Sequence, residues 1–357
     1  MYSAKKLSCR PVFFMMNNKN LNFILAGCGR IAHRHAEQIQ QYGTLKAVCD
    51  IIPEKAASFA AAHQCKAYTR FEEMLSAENE TDVVVICTPN GLHAEQTIMA
   101  LNKGMHVLCE KPMAVHSEEC RAMMKAAEQN NRKLFVVKQN RYNPPVEAVK
   151  KLLDEKALGQ IFSIQLNCFW NRGNDYYTGN WRGTKQLDGG TLFTQFSHFI
   201  DLLYWFFGDI KIISAAVDNY AHQHSIEFED AGVVIFRSAG GALGTIHFTI
   251  NSYLKNMEGS ITIFAENGTI KIGGQYLNEL EYQCIKGLSI KDLPMGNGAN
   301  NYGTYTGSMS NHDKVYSHVA DVLLNNLQIQ TNAADAMKTV EIIEAAYGKA
   351  ENLERKA

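Results

Sequence analysis

Lys111 is the first residue of this chain placed to do chemistry. It stands in Glu110-Lys111-Pro112, directly after the apolar run 106–109. A lysine there is partly desolvated, which lowers its pKa and makes it usable as a proton donor or acceptor. The ordinary alternative, a polar loop capping a strand, is weakened by that position. His198 is the second candidate. On a helix, Thr191, Thr194, Gln195 and His198 are three or four apart and share one side, with Phe193, Phe196, Ile200 and Leu203 on the packed side. A lone helical histidine is more often structural, but this one joins a polar stripe. A pKa near neutrality suits its imidazole to general acid–base work.

A cofactor site is written nearer the N-terminus. The apolar run Leu21 to Ala26 reads as a buried strand, followed by Gly27-Cys28-Gly29-Arg30-Ile31-Ala32, a helical stretch, and a second strand closing on Asp50. That is the order of a βαβ unit that binds a dinucleotide. Gly27 permits the tight turn, Gly29 lets the backbone approach the pyrophosphate, and Ala32 allows close helix–strand packing. The pyrophosphate is expected on the free N–H groups of the helix that begins near Arg30. Asp50, about twenty residues after the glycines, stands where a carboxylate accepts from both ribose hydroxyls. It repels a 2′-phosphate, so NAD is favoured over NADP. Gly27, Cys28, Gly29, Arg30, Ile31 and Asp50 are the cofactor-binding residues of this unit.

The elements that must hold these groups alternate β and α from 21 to about 140. Strand-like runs occur at 45–49, 83–87, 106–109 and 134–137, separated by helical stretches at 53–62, 92–103 and 117–130. Continuous Val/Ile runs between amphipathic helices indicate a parallel sheet covered on both faces. Ligands bind at the carboxyl ends of such strands, which selects Thr88-Pro89-Asn90, Glu110-Lys111-Pro112 and Lys138-Gln139-Asn140-Arg141. Asn143-Pro144-Pro145 punctuates the chain. Beyond Gly159 the strands lengthen and alternate, at 161–170, 210–220, 229–237, 242–250, 259–265, 269–273 and 276–285, which suggests a largely antiparallel sheet with one covered face. A helical insertion spans about 189–207, and 313–351 is helical again. The Gly/Asn/Ser/Thr-rich segment 295–310 is either a floppy loop or one that closes on a ligand.

Length and composition set bounds. A chain of 357 residues suits two domains, a leader over 1–20, 21–142 and 143–357. A net charge of −1 gives no electrostatic reason to expect nucleic acid or an anionic membrane. Apolar stretches fall far short of the roughly 20 residues of a membrane-spanning helix. Nine cysteines are scattered without zinc spacing, so no metal is expected, and reduced thiols in a cytoplasmic protein explain them. The apolar piece Val12 to Met16 is too short for a signal peptide, so 1–20 is expected to be a disordered leader, with Met15 and Met16 as alternative starts.

GCGRIA (27–32), CD (49–50), TPNGLH (88–93), EKPMA (110–114) and GGTLFTQFSHFIDLL (189–203) together resemble the glucose–fructose oxidoreductase, inositol dehydrogenase and rhizopine-catabolism (Gfo/Idh/MocA) family. The resemblance implies an α/β fold: an N-terminal Rossmann doubly wound parallel sheet plus a C-terminal α/β domain with an open, mostly antiparallel sheet that often mediates oligomers. A homo-oligomer, dimer or tetramer, is therefore expected. LFVVKQNRYN (134–143), CFWNRGNDYYTGNWRGT (168–184) and KNMEGSITIFAENGTIKIGG (255–274) resemble a narrower branch. That branch oxidises the 3-hydroxyl of UDP-N-acetylglucosaminuronate, a UDP-linked amino-uronic acid, for bacterial surface polysaccharide. It implies cofactor contacts from Thr88, Pro89, Asn90, His93, Glu110, Lys111, Gln139, Trp181 and Arg182. Substrate contacts are implied for Asn140, Arg141, Tyr177, Gln195 and His198, and for Tyr305, Ser308, Asn311 and His312 of the 305–312 loop, with Lys111 and His198 as the catalytic pair. Some relatives reoxidise bound NADH with 2-oxoglutarate, on which this sequence is silent. Many members of the wider family carry Asp where this chain has Thr194; the branch lacks it too. Two other readings stay open: an NAD-dependent dehydrogenase of a free sugar or polyol, and a non-catalytic NAD-responsive regulator.

Overall fold

The computed structural model describes residues 20–352 apart from 180 and 304. The expected leader and its alternative starts lie outside the described residues, except for Asn20.

Six strands, β1 (Leu21–Ala26), β2 (Gly43–Cys49), β3 (Lys66–Tyr68), β4 (Val83–Ile86), β5 (His106–Cys109) and β6 (Leu134–Val136), form one parallel sheet in the order β3-β2-β1-β4-β5-β6. The order in which strands are added changes side between β1 and β4, which remain parallel, and that switch point is where such sheets open a crevice. Phe23 and Leu25 feed one core layer while Ile24 and Ala26 feed the other, so β1 is buried on both faces. The sequence pattern misses β3 and the helix Phe71–Ala77. Elements this short show no readable period.

The second sheet contains β7 (Ile161–Phe169), β8 (Ile210–Asp218), β9 (Ala231–Ser238), β10 (Leu243–Thr249), β11 (Glu258–Ala265), β12 (Gly268–Gly273) and β13 (Glu279–Ile285). A small hairpin follows, β14 (Ala299–Asn301) with β15 (Thr306–Met309), and β16 (Ala350–Asn352) ends the described chain. The large sheet runs β13-β12-β11-β7-β10-β9-β8-β16, antiparallel except where β7 meets β10 and β8 meets β16. The helical tail expected through Glu351 thus stops at Gly348 and becomes an edge strand. Leu166, Phe236, Ile246 and Phe248 point inward, whereas Val233, Ile235, Leu243 and Phe264 are exposed.

The two sheets are tied together by late helices. His312–Asn325 puts Val315, Tyr316 and Val319 against β1, with Tyr316 5.9 Å from Phe23. Ala333–Gly348 packs on β8 and on the helix Ser197–Phe207. Among the described residues all eight cysteines are free thiols, and no helix is long and apolar enough to cross a membrane.

Candidate active site

The turn after β1 is built around Gly27, whose φ is +91°. A Cβ there would lie 2.6 Å from the Cys87 carbonyl oxygen, so only glycine fits. A Cβ on Gly29 would meet no atom within 4 Å. The space it would fill is open, as a backbone that must approach a diphosphate requires. Asp50, at the end of β2, is held over this turn: its Oδ2 accepts from the Cys28 N–H (2.9 Å) and its Oδ1 from the Ile52 N–H (3.0 Å). Glycine cradle and carboxylate fit a dinucleotide.

Beyond the turn lies a cleft of ≈ 940 Å³ between the two sheets. Gly29, Arg30 and Ile31 line it from β1, and Thr88, Asn90 and His93 from β4. Glu110 and Lys111 enter from β5, and Gln139 from β6. Lys111 donates through Nζ to the Thr194 carbonyl at 3.0 Å. Burial pushes its ammonium down to about 8; Glu110 opposes that shift and Arg172 reinforces it. His198 opens the helix Ser197–Phe207, and burial together with the Lys111 charge holds its imidazole well below the usual range. Gln139 Nε2 stands 3.4 Å from its Nε2.

The supporting contacts are dense. His93 lies 2.8 Å from the Pro112 carbonyl and 2.9 Å from that of Thr88, bracing the two strand ends that carry Lys111 and Asn90. Thr88 donates to Gln96 at 2.6 Å. Asn90 Nδ2 donates to the Asp188 carbonyl (2.8 Å) and to Thr194 Oγ1 (2.7 Å). Asp188 Oδ1 accepts from Thr194 Oγ1, and its Oδ2 accepts from the Gly183 N–H at 2.8 Å. Burial pushes that carboxyl up to about 6. A carboxylate therefore does reach position 194, delivered from six residues upstream. Glu110 accepts from the Lys111 N–H (3.0 Å) and bonds His35 Nε2 (2.9 Å), with His312 Nε2 at 3.5 Å. Burial works against its charge, but the two imidazoles overcome that and hold the carboxyl well below its usual value. His35, Glu110 and His312 offer ligand atoms within 4.8 Å of one another, a grouping that could hold a metal and that sequence spacing could not disclose. In this arrangement His35 is already engaged, by Glu110 and by the Tyr316 hydroxyl at 2.9 Å.

The opposite wall carries Trp181, Arg182, Gln195, Tyr305 and Ser308 as expected, and also residues the sequence did not single out: Trp170, Arg172, Tyr176, Asn300 and Tyr302. The hairpin β14–β15 presents the last of these, so segment 295–310 borders the cleft. Gln139 Oε1, Asn300 Oδ1 and Ser308 Oγ are buried with no hydrogen-bond partner among the described residues. Such orphans are expected where a ligand supplies the missing bonds. Trp170 and Arg172 were legible only as a Trp-x-Arg pair at the end of an alternating strand, where i and i+2 share a face.

Several expected site residues lie elsewhere. Arg141 does not face the cleft: its guanidinium bonds Asp201 (2.8 Å twice) and Asp335 (2.9 Å). Tyr177 is buried against Tyr176 (4.9 Å) and His222 (5.7 Å). Asn311 donates to the Gln139 carbonyl (3.1 Å) and to Asn143 Oδ1 (2.7 Å), a brace behind the wall. His312 sits behind Glu110. Asn140 lines a smaller adjoining cavity with Lys111 and His198, its amide atoms without partners among the described residues. Pro89 is not in the lining, and Gly27, Cys28 and Asp50 lie outside it, at the glycine turn. The predicted continuous stripe is also broken. The insertion splits into Thr191–Thr194 and Ser197–Phe207, with Phe196 at φ −117°, ψ 3° between them. Thr191 then turns away to bond the Glu229 carbonyl (2.6 Å), while Gln195 and His198 face the cleft.

An open-turn dinucleotide sheet facing a cleft with a depressed lysine and a neutral histidine defines an NAD-dependent oxidoreductase. Residues 21–138 match the oxidoreductase family with an NAD-binding Rossmann fold, and 146–271 match the GFO/IDH/MocA C-terminal domain. The chain belongs to the GFO/IDH/MocA oxidoreductases, as an NAD-dependent dehydrogenase of their sugar and polyol class. It is similar to the WlbA dehydrogenase of Bordetella pertussis, solved with NADH and UDP-GlcNAcA. Identity is 33%, over 93% of this chain and 96% of that one, with a TM-score of 0.82. The WlbA dehydrogenase of Chromobacterium violaceum, solved with the same two ligands, is 32% identical over 94% of each chain, with a TM-score of 0.83. Oxidoreductase P35 of Formosa agariphila is 27% identical over 274 residues, 72% of this chain and 84% of that protein.

Proposed function

We propose that this chain oxidises the 3-hydroxyl of UDP-N-acetylglucosaminuronate, or a close UDP-linked amino-uronic acid, to the 3-keto sugar in bacterial surface polysaccharide synthesis. The observation that carries this reading is the end-to-end similarity to two dehydrogenases solved with that nucleotide sugar and NADH. Bound NAD supplies the hydride acceptor. The protein supplies position and charge. Backbone N–H groups of Gly29 to Ile31, beyond the two that Gly27 and Cys28 donate to the Cys49 carbonyl and to Asp50, hold the diphosphate, and Asp50 holds the adenosine ribose, which favours NAD over NADP. Thr88, Asn90, His93, Glu110, Gln139, Trp181 and Arg182 enclose the nicotinamide half. His198, kept neutral, takes the proton of the reacting hydroxyl. Lys111, as an ammonium fixed by the Thr194 carbonyl, stabilises the negative charge that develops on that oxygen. Asn140, Gln195, Tyr305 and Ser308 bind the sugar nucleotide.

The exposed apolar face of the large sheet, with Val233, Ile235, Leu243 and Phe264, is where a homo-oligomer would close. A cytoplasmic location goes with this substrate and cofactor. The test is NADH production from UDP-N-acetylglucosaminuronate and NAD, with and without 2-oxoglutarate. Turnover of free sugars or inositol but not of the UDP sugar would overturn the reading. A loss of bound NADH on adding 2-oxoglutarate would assign that acid as the reoxidant.

A further inference from the structure

Arg172 is 3% exposed, yet among the described residues it forms no ion pair. Its Nε donates to Gln195 Oε1 (2.8 Å) and its Nη1 to the Asn171 carbonyl (2.6 Å) and Asn256 Oδ1 (3.1 Å). All three acceptors are neutral. The guanidinium carbon is packed 4.9 Å from the Trp170 and Tyr305 ring centroids and 5.4 Å from that of Tyr176. Aromatic faces and neutral acceptors orient the fork, but they do not neutralise it.

A buried cation without a counter-ion is costly unless something charged completes it. Nη2 has no protein partner among the described residues, and Arg172 lines the cleft. Lys111 is close enough to feel its charge, and Arg30 and Arg182 approach the same aromatic group, at 5.1 Å from Tyr305 and 4.8 Å from Tyr176. The carboxylates nearby are engaged elsewhere: Glu110 by two imidazoles, Asp188 by Thr194 and Gly183. Net positive charge therefore faces the space where the substrate must lie.

We infer that Arg172 is the anion receptor of this cleft, binding oxygens of a carboxylate or diphosphate on the substrate and so selecting charged sugars over neutral ones. Only the identity of the anion rests on the nucleotide-sugar reading; the uncompensated guanidinium does not. The fork suits paired oxygens of either group.

The test compares wild type with Arg172→Gln and Arg172→Lys, each loaded with NADH, by calorimetric titration. UDP-N-acetylglucosaminuronate should bind Arg172→Gln at least about 30-fold more weakly, a typical loss for a charge-assisted pair, with Arg172→Lys in between and NADH affinity unchanged. If UDP-N-acetylglucosamine weakens equally, the diphosphate is the anion; if it does not, the carboxylate is. Uronate affinity within about threefold of wild type in Arg172→Gln, with NADH still bound, overturns the inference. If wild type binds neither UDP sugar, the nucleotide-sugar reading falls by itself. Titrations of D-glucuronate and pyrophosphate against D-glucose then decide Arg172 alone: loss of an anion preference in Arg172→Gln supports it, and no such preference in wild type overturns it.

Discussion

Two buried groups of charge adjoin one another in this molecule, Lys111 of one and Lys138 and Asp201 of the other lining the same small cavity, and they are built on opposite plans. In the first, Arg141 and Lys138 close on Asp201, with Asp335 completing the set; every charge faces an opposite one, and all but Asp335 are nearly fully buried. Arg141 and Lys138 pull the Asp201 carboxyl far below its usual value despite burial. In the second, Lys111 and Arg172 face the cleft with carbonyls, amides and rings for partners. A charge group that is internally neutral joins elements, here the end of β6 to two helices. One that is left with net charge faces a ligand. Arg141 shows how sequence position misleads on this point: it follows a strand end just as Lys111 does, yet it belongs to the first group.

Lys111→Met attacks the open group and should show the largest effect. Turnover should fall about 10³-fold, the scale of losing a charged stabiliser of a developing oxyanion, while NAD affinity and melting temperature stay near wild type. Near-normal turnover would remove Lys111 from the chemistry. Asp201→Ala attacks the closed group. Leaving Lys138 buried without its ion pair, and Arg141 with Asp335 alone, should cost about 3–5 kcal/mol of stability in denaturant unfolding. A loss below 1 kcal/mol would show that water already solvates those cations.

A pH profile sharpens the same contrast. Lys111 is protonated below about 8 and neutral above it, and its proposed role needs the charge. The chemical step should therefore slow as pH rises through 8, whereas His198, held well below its usual value, should add no acid limb near neutrality. A rate that climbs through 8 would instead make neutral Lys111 the base. The smallest effect is expected at the ribose end. Asp50→Ala should lower the NAD-to-NADP preference by about tenfold, the loss of one or two hydrogen bonds to a charged group. An unchanged ratio would place cofactor selection elsewhere.

The parts of the site that the sequence disclosed are local ones. Gly27, Gly29 and Asp50 are readable because strand, turn and acid follow one another within one βαβ unit, and Lys111 because it abuts a continuous apolar strand. The stripe at 191–198 was readable as helical and polar, but not its break at Phe196. That break decides that Thr191 serves Glu229 while His198 faces the cleft. Arg172 was visible only as one arginine in a motif.

By itself, then, the sequence determined the NAD-binding sheet, its glycine turn, the lysine at a strand end and the alternating second sheet. Each depends on residue type and short spacing. Only the tertiary structure decided which cations are neutralised. The partners of Arg141 lie 60 and 194 residues away along the chain, the side-chain partners of Arg172 23 and 84. Charge compensation is a property of neighbours in space, and no periodicity records it.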